Sequence, residues 1–74
     1  SSSLGNTLLQ NICDAAKNNG ILIYSIGFEI SNTSAQAMED CASSPSHFYR
    51  VEGVNISDAF SSIARQLVQL RLTL

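Results

Sequence analysis

The side chains able to do chemistry are few. Cys13 or Cys41, with His47 and Asp58, supplies the residue types of a thiol hydrolase, in which a base draws the proton from a sulfur nucleophile. No motif sets either cysteine at a helix N-terminus or beside a base, so the spacing does not favour that chemistry. Cys13, Asp40, Cys41 and His47 make four potential metal ligands, but without the closely spaced Cys or His pairs that zinc sites use. Gly5, Gly20, Gly27 and Gly53 are scattered and no Gly-x-Gly follows an apolar run, so no phosphate cradle is expected. Asn32-Thr33-Ser34 and Asn55-Ile56-Ser57 match the glycosylation triplet, which matters only in a eukaryotic secretory setting. Both asparagines read better as helix caps. No catalytic, cofactor-binding or metal-binding residue is assigned. His47 reads as a partly exposed structural residue, and Tyr24, Phe28, Phe48, Tyr49 and Phe60 as core rather than a ligand cage.

The two cysteines permit one disulfide, and equally two buried free thiols. Paired, they would close a loop of about 28 residues, worth about 3.5 kcal/mol on the chain-entropy model.

Seventy-four residues at 45% hydrophobic content fit a single small unit, residues 1–74, with a modest core. Four Lys/Arg against six Asp/Glu, scattered along the chain, give a net charge of −2 and no basic stripe. Nucleic acid and anionic membrane surfaces are therefore not expected partners. The apolar runs fall far short of the roughly 20 residues that span a bilayer, so no membrane insertion is expected in this segment, and any export signal would lie outside it.

The element order follows from periodicity. Leu4, Leu8, Leu9, Ile12, Cys13 and Ala16 form one apolar helical face, and Asn18-Asn19-Gly20 stops that helix by offering a left-handed residue. Ile21 to Phe28 (ILIYSIGF) is a continuous apolar run, too short for a buried helix and suited to a strand covered on both faces. After the polar loop Glu29 to Ser34, Ala35 to Ala42 reads as a short helix ended by Ser43-Ser44-Pro45-Ser46. His47 to Val51 reads as a second strand, with His47, Tyr49 and Val51 on one face and Phe48 and Arg50 on the other. Asn55 or Ser57 would cap a last helix carrying Ala59, Phe60, Ile63, Ala64, Leu67, Val68 and Arg71. Helix, strand, helix, strand, helix is an α/β order, and the helical crossover predicts two parallel strands. Such a sheet leaves one edge of the central strand open, which implies part of a larger layered domain or self-association of the isolated chain.

Several segments carry a resemblance. Ile12-Cys13-Asp14-Ala15-Ala16-Lys17, then Gly20 to Phe28, Asp40 to Tyr49 with its CASSP and following aromatics, Ala59 to Ala64, and the closing Leu70-Arg71-Leu72-Thr73 occur in one order. Together they resemble the C-terminal end of the von Willebrand factor type A domain of TadG-like (TadE/TadG) pilus assembly proteins. The resemblance implies a Rossmann-like fold of which these residues supply the last two strands and three helices. It implies a non-enzymatic module for protein contacts in Flp/Tad pilus assembly or cell adhesion, in the periplasm or outside a bacterial cell. That setting favours a Cys13–Cys41 disulfide, and the resemblance also implies that the last helix covers the other side of the central strand. Type A domains hold a divalent cation through an Asp-x-Ser-x-Ser loop, which this sequence lacks, so no metal ligand is carried over. The loop from Phe28 to Ser31 would neighbour that site, with Glu29 a surface carboxylate. The competing expectation is a standalone α/β domain of other function, such as a cysteine-dependent hydrolase.

Overall fold

The computed structural model describes residues 2–73, with side-chain exposure described for residues 4–71. Five main elements run as expected: α1 (Ser2–Asn18), β1 (Ser25–Phe28), α2 (Asn32–Cys41), β2 (Phe48–Val51) and α3 (Asn55–Thr73), with a 3₁₀ turn at Pro45–His47. The strands pair in parallel, Ser25 beside Phe48 through Phe28 beside Val51. The chain is thus an α/β unit with a two-stranded parallel sheet.

The helix boundaries have local causes. At the end of α1, Gly20 adopts φ +77°, its N–H donates to Lys17 O, and the Ile21 N–H donates to Ala16 O. These two bonds close the last turn around a left-handed residue that glycine adopts without strain. Helix α2 begins three residues earlier than Ala35, because the Ser31 hydroxyl accepts from the Ser34 N–H and so caps the first turn. The cap is therefore Ser31 and not Asn32, whose side chain instead accepts from Arg50 Nη1 at 2.8 Å. Asn55 and Ser57 both lie within α3 rather than ahead of it.

Both strands are shorter than the apolar runs that contain them. Pro45 opens the 3₁₀ turn, and His47 belongs to that turn rather than to β2. With β2 only four residues long, Ile21 to Tyr24 find no strand partner. Ile23 makes both its backbone bonds with Ser43 instead, donating to Ser43 Oγ at 2.7 Å and accepting from the Ser43 N–H at 3.0 Å.

Side-chain alternation assigns the helices to the two faces of the sheet. Ser25 Oγ donates to Met38 O in α2 at 2.7 Å, and Arg50 reaches the start of α2 on the same side. The hydroxyls of Tyr24 and Tyr49, of opposite parity, meet α3. Helix α1 is held beside α2 by the Cys13–Cys41 disulfide, by Gln10 Nε2 donating to Ala37 O, and by Lys17 Nζ donating to Asp40 O.

Among the described residues, the buried apolar ones are Cys13, Ala35, Ala42 and Ala59, all small, with no large side chain fully enclosed. This overturns the expectation that Ile21 to Phe28 lies covered on both faces: Ile21 is 55% exposed and Phe28 44%. The helical stripes split in the same way. In α1, Cys13 is buried and Leu9 and Ala16 are half-buried, while Leu4, Leu8 and Ile12 are exposed. In α3, Ala59 is buried and Ile63 half-buried, while Phe60, Leu67 and Val68 are exposed. The cause lies in the shape of the chain, a plate with extents of 42 × 33 × 13 Å. Its radius of gyration is 13.3 Å, against about 11 Å for a compact domain of this length. A plate has little interior: α1 and α3 lie at its two outer layers, and only α2 is packed on two sides, against α1 and the sheet.

Candidate functional site

The structure brings Cys13 and Cys41 together as a disulfide, so the pairing left open by residue types is made. It does not assemble the other imagined constellations. Asp58 lies exposed in the first turn of α3 with no hydrogen bond to His47. Asp40 is exposed and accepts from Gln36 Nε2 at 2.9 Å. Among the described residues, no three His, Cys, Asp or Glu side chains converge as metal ligands would. Glu29 is exposed, in the left-handed conformation at φ +53°, and its N–H donates to Val51 O.

Between the lead-in to β1 and the C-terminal half of α3 lies an open groove of about 360 Å³ lined by Leu22, Tyr24, His47, Gln66, Gln69 and Leu70. The His47 ring leans on Tyr24 with centroids 4.5 Å apart at 47°. Its Nδ1 is buried and has no hydrogen-bond partner. One wall is fixed by a polar cluster: Tyr24 OH donates to Gln66 Oε1 at 3.2 Å, and Gln66 Nε2 donates to Tyr49 OH at 2.6 Å. Tyr49 OH also bonds Ser62 Oγ at 3.0 Å. Gln66 thus bridges two tyrosines on one face of the sheet. The five aromatics read as core from the sequence, but none is buried: Phe28 and Phe60 are exposed, and Tyr24, Phe48 and Tyr49 are half-buried, the two tyrosines anchored by their hydroxyls. The sequence carries part of the signal, since Ser62 and Gln66 stand four residues apart on one helix, but only the register of the strands puts Tyr24 and Tyr49 on one face.

The groove holds amide and imidazole groups but no thiolate, no paired carboxylates and no base beside a nucleophile. The Tyr49→Phe variant should lose about 1 kcal/mol, since it strips one acceptor from Gln66 and one partner from Ser62. Thermal unfolding followed by circular dichroism should show a midpoint lower by about 5 °C; an unchanged midpoint would mean that water replaces both bonds without cost.

Fold and site together define a class: a disulfide-stapled α/β unit whose helices flank a parallel strand pair and whose apolar surfaces are only half covered. No family model matches the sequence, and no curated protein or solved structure shows significant similarity to it. Among the described residues, no helix is long and apolar enough to cross a membrane.

Proposed function

We propose that the chain is the C-terminal portion of a Rossmann-like, von Willebrand factor type A domain, acting as a non-enzymatic protein-interaction module of a TadG-like bacterial envelope protein in pilus assembly or adhesion. The observation that carries this reading is the parallel β1–β2 pair joined by a helical crossover, with the outer edge of β1 and the outer halves of the α1 and α3 stripes left uncovered. A strand pair with helices on both faces is the repeating unit of a doubly wound domain, and uncovered apolar surface on each part is what a larger layered assembly would bury. The disulfide fits the oxidising periplasm or cell exterior. The thiol-hydrolase alternative has no nucleophile while both sulfurs are bonded to each other.

Fragment complementation tests the reading. Mixed with the upstream part of a TadG-like type A domain, the oxidised chain should form a stoichiometric complex that binds and unfolds as one unit. Absence of binding would remove the family assignment. Titration of the native chain with a thiol reagent should find no reactive sulfur before reduction, and a rapidly alkylated thiol would favour the enzyme instead.

A further inference from the structure

We infer that the open edge of β1 and its lead-in, from Leu22 to Phe28, is a self-pairing site at which a second copy of this chain adds the same segment antiparallel. The edge follows from the register. The Glu29 N–H donates to Val51 O at 2.9 Å, so Ser25, Gly27 and Glu29 turn their backbone groups toward β2. Ile23 turns its own the same way, toward Ser43. Backbone groups of successive strand residues face opposite edges, which leaves those of Ile26 and Phe28 on the outer edge, and the same alternation carried back through Ile23 into the lead-in puts Leu22 and Tyr24 there too. Outside the β1–β2 ladder itself, none of these four makes a backbone–backbone bond among the described residues.

Apart from the shortness of β1, four residues, the edge carries none of the sequence devices that block pairing: from Leu22 to Phe28 there is no charge and no proline. It is also self-complementary. A two-fold axis at Ser25 sets Tyr24 of one copy opposite Ile26 of the other, and Leu22 opposite Phe28. All four outward residues then exchange both bonds, for about eight N–H···O bonds in a four-stranded sheet. The same register stacks aromatic on aliphatic side chains across the join, the favourable cross-strand combination.

The surface area points to an occupant of this size. The chain exposes 5190 Å². A compact monomer of its mass, 8.0 kDa, would expose about 4450 Å². The excess of about 700 Å² is close to the roughly 800 Å² that each partner gives to a standard interface.

Sedimentation velocity on the oxidised 74-residue chain over a concentration series should show the mass rising from one chain to two. Hydrogen exchange should show the Leu22, Tyr24, Ile26 and Phe28 amides protected in the dimer and released on dilution, with Gly27 and Glu29 protected throughout. The Ile26→Pro variant removes an outward N–H, which an edge strand tolerates, and should weaken the dimer at least about 100-fold. If that variant does not fold, Ile26→Lys, which keeps the amide and places a charge at the join, must produce the loss. A monomer at every concentration overturns the inference, as does a dimer indifferent to both variants or one whose outer amides stay unprotected. The inference does not rest on the type A reading. Failed complementation with the dimer intact removes only that reading, and complementation by a chain that never dimerises removes only this one.

Discussion

Replacing both Cys13 and Cys41 by alanine lowers the unfolding midpoint by about 15–25 °C. The bond spans 28 residues of sequence, and its loss returns about 3.5 kcal/mol of chain entropy to the unfolded state. A chain of this length holds about 4–11 kcal/mol in total. This one sits toward the lower end, because the buried apolar side chains among its described residues are cysteine and alanine. The disulfide is also the one covalent tie between α1 and α2, supported by bonds from Gln10 and Lys17 to carbonyls at the end of α2. The Lys17–Asp14 ion pair, 3.9 Å and exposed, adds little. Loss of the bond therefore frees α1, and reduction of the native chain should reproduce the effect of the double variant. Calorimetry or circular dichroism of the three forms decides it. A shift under about 5 °C would mean that the noncovalent contacts hold α1 to α2 on their own.

How far residues alone foretold this architecture depends on whether the cause is local. Gly20 ends α1 and Pro45 follows α2 because backbone conformation at single residues decides both. Parallel pairing follows from the helix between two strand-like runs. The length of β1 does not, since Ile21 to Tyr24 could be strand only if β2 extended to meet them, and the 3₁₀ turn at Pro45–His47 shortens it. Periodicity likewise gives the width of an apolar stripe but not the half that meets a neighbour: Cys13 is buried while Ile12, one residue earlier and equally apolar, is 68% exposed. The cysteine pairing stayed open for the same reason, because it needs two helices placed side by side. The Tyr24–Gln66–Tyr49 cluster joins three distant segments through polar atoms, which a hydrophobic pattern does not report. The pattern makes His47 the first residue of a strand, whereas it closes the turn that precedes β2 and lines the groove.

Gly27→Val should destabilise the chain by about 2 kcal/mol although valine is much the better strand former. Gly27 is buried on the α2 side of β1. A Cβ added there runs into the Cδ1 and Cγ1 atoms of Ile30 and comes within 3.5 Å of Phe48 Cε1. The Ile30 side chain must leave its present rotamer, and a shift that carries its backbone along disturbs the bond from Arg50 Nη2 to the Ile30 carbonyl at 2.8 Å, beside the one from Arg50 Nη1 to Asn32. Such a shift pulls on the clasp between β2 and the start of α2. The strand preference of valine returns at most about 1 kcal/mol, whereas forcing branched carbons into an occupied space costs about 1–3 kcal/mol and the disturbed clasp adds to it. The sterics win. A double-mutant cycle identifies the cause: with Ile30→Ala the space is vacated, and Gly27→Val in that background should be neutral or mildly stabilising, for a coupling of about 2 kcal/mol. Equal losses in both backgrounds would place the clash elsewhere, at Phe48.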